Sequence, residues 1–166
     1  MILRVFVVVF LCLLFWFICY LNTGSDKKNM LGFRSYPKVV QDLVRKDEAL
    51  SKMVPGEVNL VKVFISNFAL FTIIFLIVGL IIKFTSGFND FKDAFVYFLL
   101  LGEIMNLFDL LVIDLLWWRN TSRIRFSCAS DKALYQDPSV HLASFYRGAM
   151  MYLIVVFLVS FIITLI

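Results

Sequence analysis

LLLGEIMNLFDLLVIDLLWW, residues 99–118, has fifteen apolar residues in twenty. That is the length and character of a helix that crosses a bilayer. Yet it carries Glu103, Asn106, Asp109 and Asp114, three carboxylates and an amide in a setting where each is costly. The composition around it agrees with a membrane reading. Of 166 residues, 61% are hydrophobic, 17% are charged and 19 are Phe, far from the balance of a water-soluble domain. The length suits one domain, 1–166.

Three further runs qualify as spans. They are residues 2–21, interrupted by Arg4; residues 60–82, closed by Lys83; and residues 149–166. With the opening stretch extended to residues 94–118, the fold class is all-α, a polytopic integral membrane protein with four transmembrane helices and an interfacial amphipathic helix in the first loop. The first run is too long for a leader and lacks a small-x-small cleavage site, so it reads as a retained anchor. Arg4, Lys83 and Lys92 fall on the side of the termini, and the other thirteen Lys and Arg fall on the opposite side, twelve in loops 22–59 and 119–148 and Lys62 at the start of the second span. The bias predicts a multi-pass cell-membrane protein with both long loops cytoplasmic and both termini outside. On that side the Asn120-Thr121-Ser122 sequon is never used.

In the first loop, Val39, Val40, Leu43, Val44, Leu50 and Met53 recur at helical spacing between Pro37 and Pro55-Gly56, with a break at Lys46-Asp47-Glu48. Asp42–Lys46 and Glu48–Lys52 are favourable i,i+4 pairs. Two placements fit. One is an interfacial amphipathic helix on anionic lipid headgroups; the other is a helix packed on the chain's own third loop. In that third loop, Asp137-Pro138 marks the start of the last helix, which places His141, the one histidine, in its first turns. Arg119, Arg123 and Arg125 either enforce orientation or form a phosphate-binding group.

At 100° per residue, Glu103, Asn106, Asp109 and Asp114 occupy a band about 140° wide and about 16 Å long. Glu103 and Asn106 lie near the midplane, with Asp114 about a turn short of Trp117–Trp118. Ser66, Asn67 and Thr72 of the second span offer hydrogen bonds but no positive charge. Glu103 is therefore expected to be neutral or to face water. Asp109 and Asp114 are expected to be ionised, with Arg123 or Arg125 folding back as partner. Packing glue is the plainer account of the band, though glue is usually Ser, Thr or Asn.

No Walker A, GxGxxG, HExxH or GxSxG pattern occurs, and Cys12, Cys19 and Cys128 are too scattered for a disulfide framework or zinc site. No cofactor, metal or nucleic acid is implied. From Asn106 onward, NLFDLLVIDLLWW, followed by basic residues and ALYQDPSVH, resembles an uncharacterised family of small bacterial membrane proteins. Its pattern is Asn-x-x-Asp-x-x-x-x-Asp-x-x-Trp, with a Tyr and a His in the following loop. The positions here are Asn106, Asp109, Asp114, Trp117, Tyr135 and His141. FSCASDKA departs from the acidic stretch that members tend to carry there. The resemblance implies that Asp114, the loop arginines, Tyr135 and His141 form one cytoplasmic-interface site.

Three functions stay open. The first is a proton- or cation-linked transport component using Glu103, Asn106, Asp109 and Asp114, in an oligomer. The second is a non-catalytic subunit binding partner helices. The third is a membrane enzyme on a lipid or polyprenyl headgroup, with Asp114 or His141 as base and Arg119, Arg123, Arg125 and Tyr135 holding phosphate.

Overall fold

The computed structural model describes residues 2–57 and 59–166. Four helices are long and apolar enough to cross a membrane. These are α1 (Ile2–Leu21), α4 (Leu60–Thr85), α5 (Phe91–Phe108) with its continuation Asp109–Trp118, and α6 (Ser139–Leu165). The first long loop holds α2 (Asp26–Asn29) and α3 (Lys38–Lys46). Among the described residues there is no strand, only an isolated bridge between Phe126 and Ala129. Helix starts follow local chemistry. The Asn59 side chain accepts from the Val61 amide, Asp90 from the Asp93 amide and Asp137 from the Ser139 amide, each satisfying an amide that the helix itself leaves unpaired. α6 thus begins ten residues before the apolar run that marked it in sequence.

The chain packs as two compact units. The first comprises Met1–Cys12, Val58–Leu107 and Tyr146–Ile166. Its centre is a stack in which Phe75 lies 5.8 Å from Phe98 and 5.9 Å from Tyr152. Helices approach closely at glycines. A Cβ on Gly79 would stand 2.7 Å from Ile163 Cγ1, and one on Gly102 would stand 3.2 Å from Tyr152. At one end the Arg4 guanidinium meets both Asp93 oxygens at 2.7 and 2.9 Å, donates to the Gly87 carbonyl and covers the Phe88 ring. Lys83 Nζ donates to the Ile163 carbonyl at 2.7 Å, satisfying an acceptor in the last turn of α6.

The second unit comprises Leu13–Glu57 and Phe108–Phe145, so the two long loops fold together. Their shared core contains Met30, Phe33, Tyr36, Val40, Val44, Leu50, Trp118, Ile124, Phe126 and Tyr135. Tyr36 is central, with ring centroids 4.9 Å from both Trp118 and Phe126. Its hydroxyl donates to the Ile124 carbonyl at 2.8 Å. This core corrects the interfacial placement expected for α3 in favour of packing on the chain's own third loop. Val40 and Val44, the centre of its apolar face, are fully buried against the protein's own loops, and that stripe is closed to lipid.

The helical pattern expected up to Met53 stops at Lys46. Asp47 turns the chain by accepting from the Ala49 and Leu50 amides, and a short 3-10 turn covers Ser51–Met53. Neither Asp42–Lys46 nor Glu48–Lys52 closes as an ion pair. Among the described residues the pairs formed are Arg4–Asp93 and Asp114–His141.

Candidate functional site

The polar band of the third span does not stay on an α-helix. After Phe108 the backbone widens to a π-helix from Asp109 to Trp118, and the Arg119 amide closes on the Asp114 carbonyl five residues back at 3.3 Å. Most π segments are single-turn bulges, and they recur at functional sites. A wider turn takes fewer than 100° per residue, so the α-helical projection fails beyond Phe108. Residues five apart, such as Asp109 and Asp114, move toward one face. Asp109 lies within electrostatic reach of Asp114, and Cys19 lies within reach of both.

Asp114 is held by His141. The distance from His141 Nδ1 to Asp114 Oδ2 is 2.9 Å, with the two side chains only 4% and 15% exposed. The first turn of α6 places the imidazole there, and the Trp118 ring stands edge-on to it at 4.7 Å. A carboxylate can only accept, so Nδ1 is the protonated nitrogen of the pair. The other nitrogen, Nε2, is buried and has no hydrogen-bond partner among the described residues. A neutral imidazole held this way presents a bare lone pair at Nε2, with a carboxylate behind it to offset any positive charge it acquires.

The partners expected for the acids are elsewhere. Arg123 does not fold back on Asp109 or Asp114. Its guanidinium lies 3.9 Å over the Tyr20 ring and donates to the Tyr20 and Thr23 carbonyls, closing the end of α1. Arg125 donates to the Ser130 carbonyl within its own loop. Gln136 Nε2 donates to the Arg119 carbonyl. The Tyr135 hydroxyl is used twice inside the core, accepting from the Phe126 amide and donating to the Ala129 carbonyl. Of the five residues expected to hold a headgroup, the structure joins His141 to Asp114 and gives Arg123, Arg125 and Tyr135 structural duties.

In the first unit, Asn106 is buried. Gly148 approaches so closely that a Cβ there would lie 2.6 Å from Asn106 Oδ1. Its environment is that of an amide packed between helices. Glu103 is half-buried, with no ion pair among the described residues. The hydrogen bonds expected from α4 are not made. Thr72 Oγ1 is buried without a partner, and Ser66 and Asn67 face outward.

The charge reading of the sequence pairs Asp114 with Arg123 or Arg125, which the structure does not show, whereas the resemblance groups it with His141, the residue it contacts. Trp118, beside the imidazole, and Cys19, within electrostatic reach of both acids, belong to the same neighbourhood. Nothing in their spacing indicates contact with His141 or the acids, because the contacts join segments roughly twenty to a hundred residues apart. Comparison with protein-family models, curated proteins and solved structures finds no match to this chain.

Proposed function

We propose that the chain is a multi-pass membrane protein of proton-linked transport, with Asp114–His141 as its proton-carrying pair. The observation that carries this reading is the 2.9 Å contact from a buried imidazole to a carboxylate, with Nε2 left unpartnered. Imidazole is the side chain that exchanges its proton most readily near neutral pH. Ionisable groups within apolar spanning helices mark ion and proton paths. A proton enters at Nε2, the adjacent carboxylate offsets the imidazolium charge, and the proton leaves from the same atom when the local environment changes. The excess of Lys and Arg in the long loops supports a position for the pair at the cytoplasmic end of its span.

The test is proton flux into liposomes carrying the purified chain and a trapped pH dye, under an imposed potential. Flux is expected for the native chain and is lost in His141→Gln and Asp114→Asn, both near-isosteric. Native chain without flux, or flux unchanged in both variants, rejects the proposal. The same free nitrogen also favours an enzyme at the lipid interface, with His141 as general base. Turnover of a lipid or polyprenyl phosphate by native chain without proton flux selects that reading. The structural duties of Arg123 and Tyr135 count against it.

A further inference from the structure

Through mid-span, the outward faces of the long helices are apolar with one exception among the described residues. α1 exposes Val5, Val9, Phe10, Leu13 and Phe17, and α6 exposes Leu153, Ile154, Phe157 and Phe161. Such faces are at home in hydrocarbon and call for no partner. α4 differs. Every residue from Val61 to Asn67 is exposed, so the first half of this helix is uncovered all round, and within it Ser66 and Asn67 share a stripe with Val63, Leu70, Ile73 and Ile77. Lys62 and Lys83 bracket a twenty-residue apolar run about 30 Å long, and Asn67 lies about 8 Å from its centre, inside the hydrocarbon.

The two polar residues make different demands. A serine hydroxyl can bond a carbonyl one turn back, as Thr164 Oγ1 does to the Ser160 carbonyl at 2.8 Å. A carboxamide carries two donors and an acceptor with two lone pairs, more than its own helix supplies. Water is absent at that depth, and the described part of the chain offers Asn67 nothing.

We infer that this face of α4 docks a second copy of the chain, with the two Asn67 carboxamides hydrogen-bonded to each other. The inference rests on the membrane reading above. Its argument is self-complementarity. Two copies inserted the same way carry Asn67 at the same depth, so a twofold axis along the membrane normal brings amide to amide. Each amide donates to the other's oxygen, and the apolar stripe through Leu70 and Ile77 packs beside them.

The experiment uses full-length chain in membranes, with Cys12, Cys19 and Cys128 replaced by Ala and one cysteine introduced. Under mild oxidation, Leu70→Cys is expected to form an intermolecular disulfide, whereas Leu13→Cys on the lipid-facing side of α1 does not. Energy transfer between donor- and acceptor-tagged copies that keep the native cysteines gives the second readout. Asn67→Leu is expected to weaken self-association on the order of tenfold, and Asn67→Gln to retain most of it. Three results overturn the inference: Leu70→Cys cross-linking no more than Leu13→Cys, cross-linking only to a different protein, or Asn67→Leu leaving energy transfer unchanged. Carbonate extraction of the same membranes separates the two readings. Chain that washes out refutes membrane insertion, and this inference with it. Chain that stays embedded without self-association refutes this inference alone.

Discussion

Removing one oxygen from the loop core, by Tyr36→Phe, measures how far hydrogen bonding adds to ring packing there. The Tyr36 ring is 2% exposed, and its hydroxyl is the donor to the Ile124 carbonyl at 2.8 Å. Phenylalanine keeps both 4.9 Å ring contacts and strands that carbonyl, which belongs to a fully buried residue. An unsatisfied buried acceptor costs about 1–3 kcal/mol. Tyr36→Ala removes the ring as well and, by analogy with other large-to-small changes, costs about 3–5 kcal/mol. Trp118, whose ring touches Tyr36, reports on the core directly once Trp16 and Trp117 are replaced by Phe. Denaturant unfolding in micelles, followed by Trp118 fluorescence, should show midpoints falling in that order with unchanged slope. A Tyr36→Phe midpoint within about 0.5 kcal/mol of the parent, or Tyr36→Ala no worse than Tyr36→Phe, refutes the reasoning.

The same hydroxyl has a pH signature. Burial, then the neighbouring Tyr135 and Asp26, push it above the ordinary tyrosine range. Its stabilising effect is whole below pH about 10 and drains away as pH climbs further. Alkaline unfolding followed by circular dichroism should therefore be less steep in Tyr36→Phe. Gly79→Ala forces a methyl within 3 Å of Ile163 and Phe98, and thermal unfolding should show a loss of about 1–3 kcal/mol. For Asp114 and His141, a double-mutant cycle with Asp114→Asn and His141→Gln should give a coupling of at least about 1 kcal/mol in stability, against near zero for Asp109→Asn paired with Arg125→Gln. Arg4→Met should cost no more than about 1 kcal/mol by the same unfolding measurement, because both partners of the Arg4–Asp93 pair stay roughly a quarter exposed.

The four long helices were legible because runs of about twenty apolar residues stand out in composition alone. α1 matches its apolar run residue for residue, and Asp137-Pro138 marked the start of α6 when hydropathy pointed ten residues later. The loop core was less visible. Half of it was seen, since the apolar stripe of α3 was recognised, but the surface it covers comes from Trp118, Ile124, Phe126 and Tyr135, dispersed among basic residues without periodicity. The candidate site failed at a specific physical step. Charge arithmetic assigned the acids to arginines, the most numerous cations nearby, whereas the guanidinium of Arg123 is worth more closing the last turn of α1. The π-helix left no trace because its backbone departs from the period on which sequence projection depends.

The shared loop core also sets an order on how the protein comes into being. Tyr36, Val40 and Val44 leave the ribosome about ninety residues ahead of Ile124 and Phe126. At translation rates of about 5–20 residues per second, that is a wait of roughly 4–18 s. During it, the segment joining α1 and α4 has nothing to fold against. The aromatic residues of that segment are then open to chaperones or proteases. Emergence of Trp118, Ile124, Phe126 and Tyr135 ends that exposure, so a nascent chain stalled before Trp118 should be a preferred target for quality control.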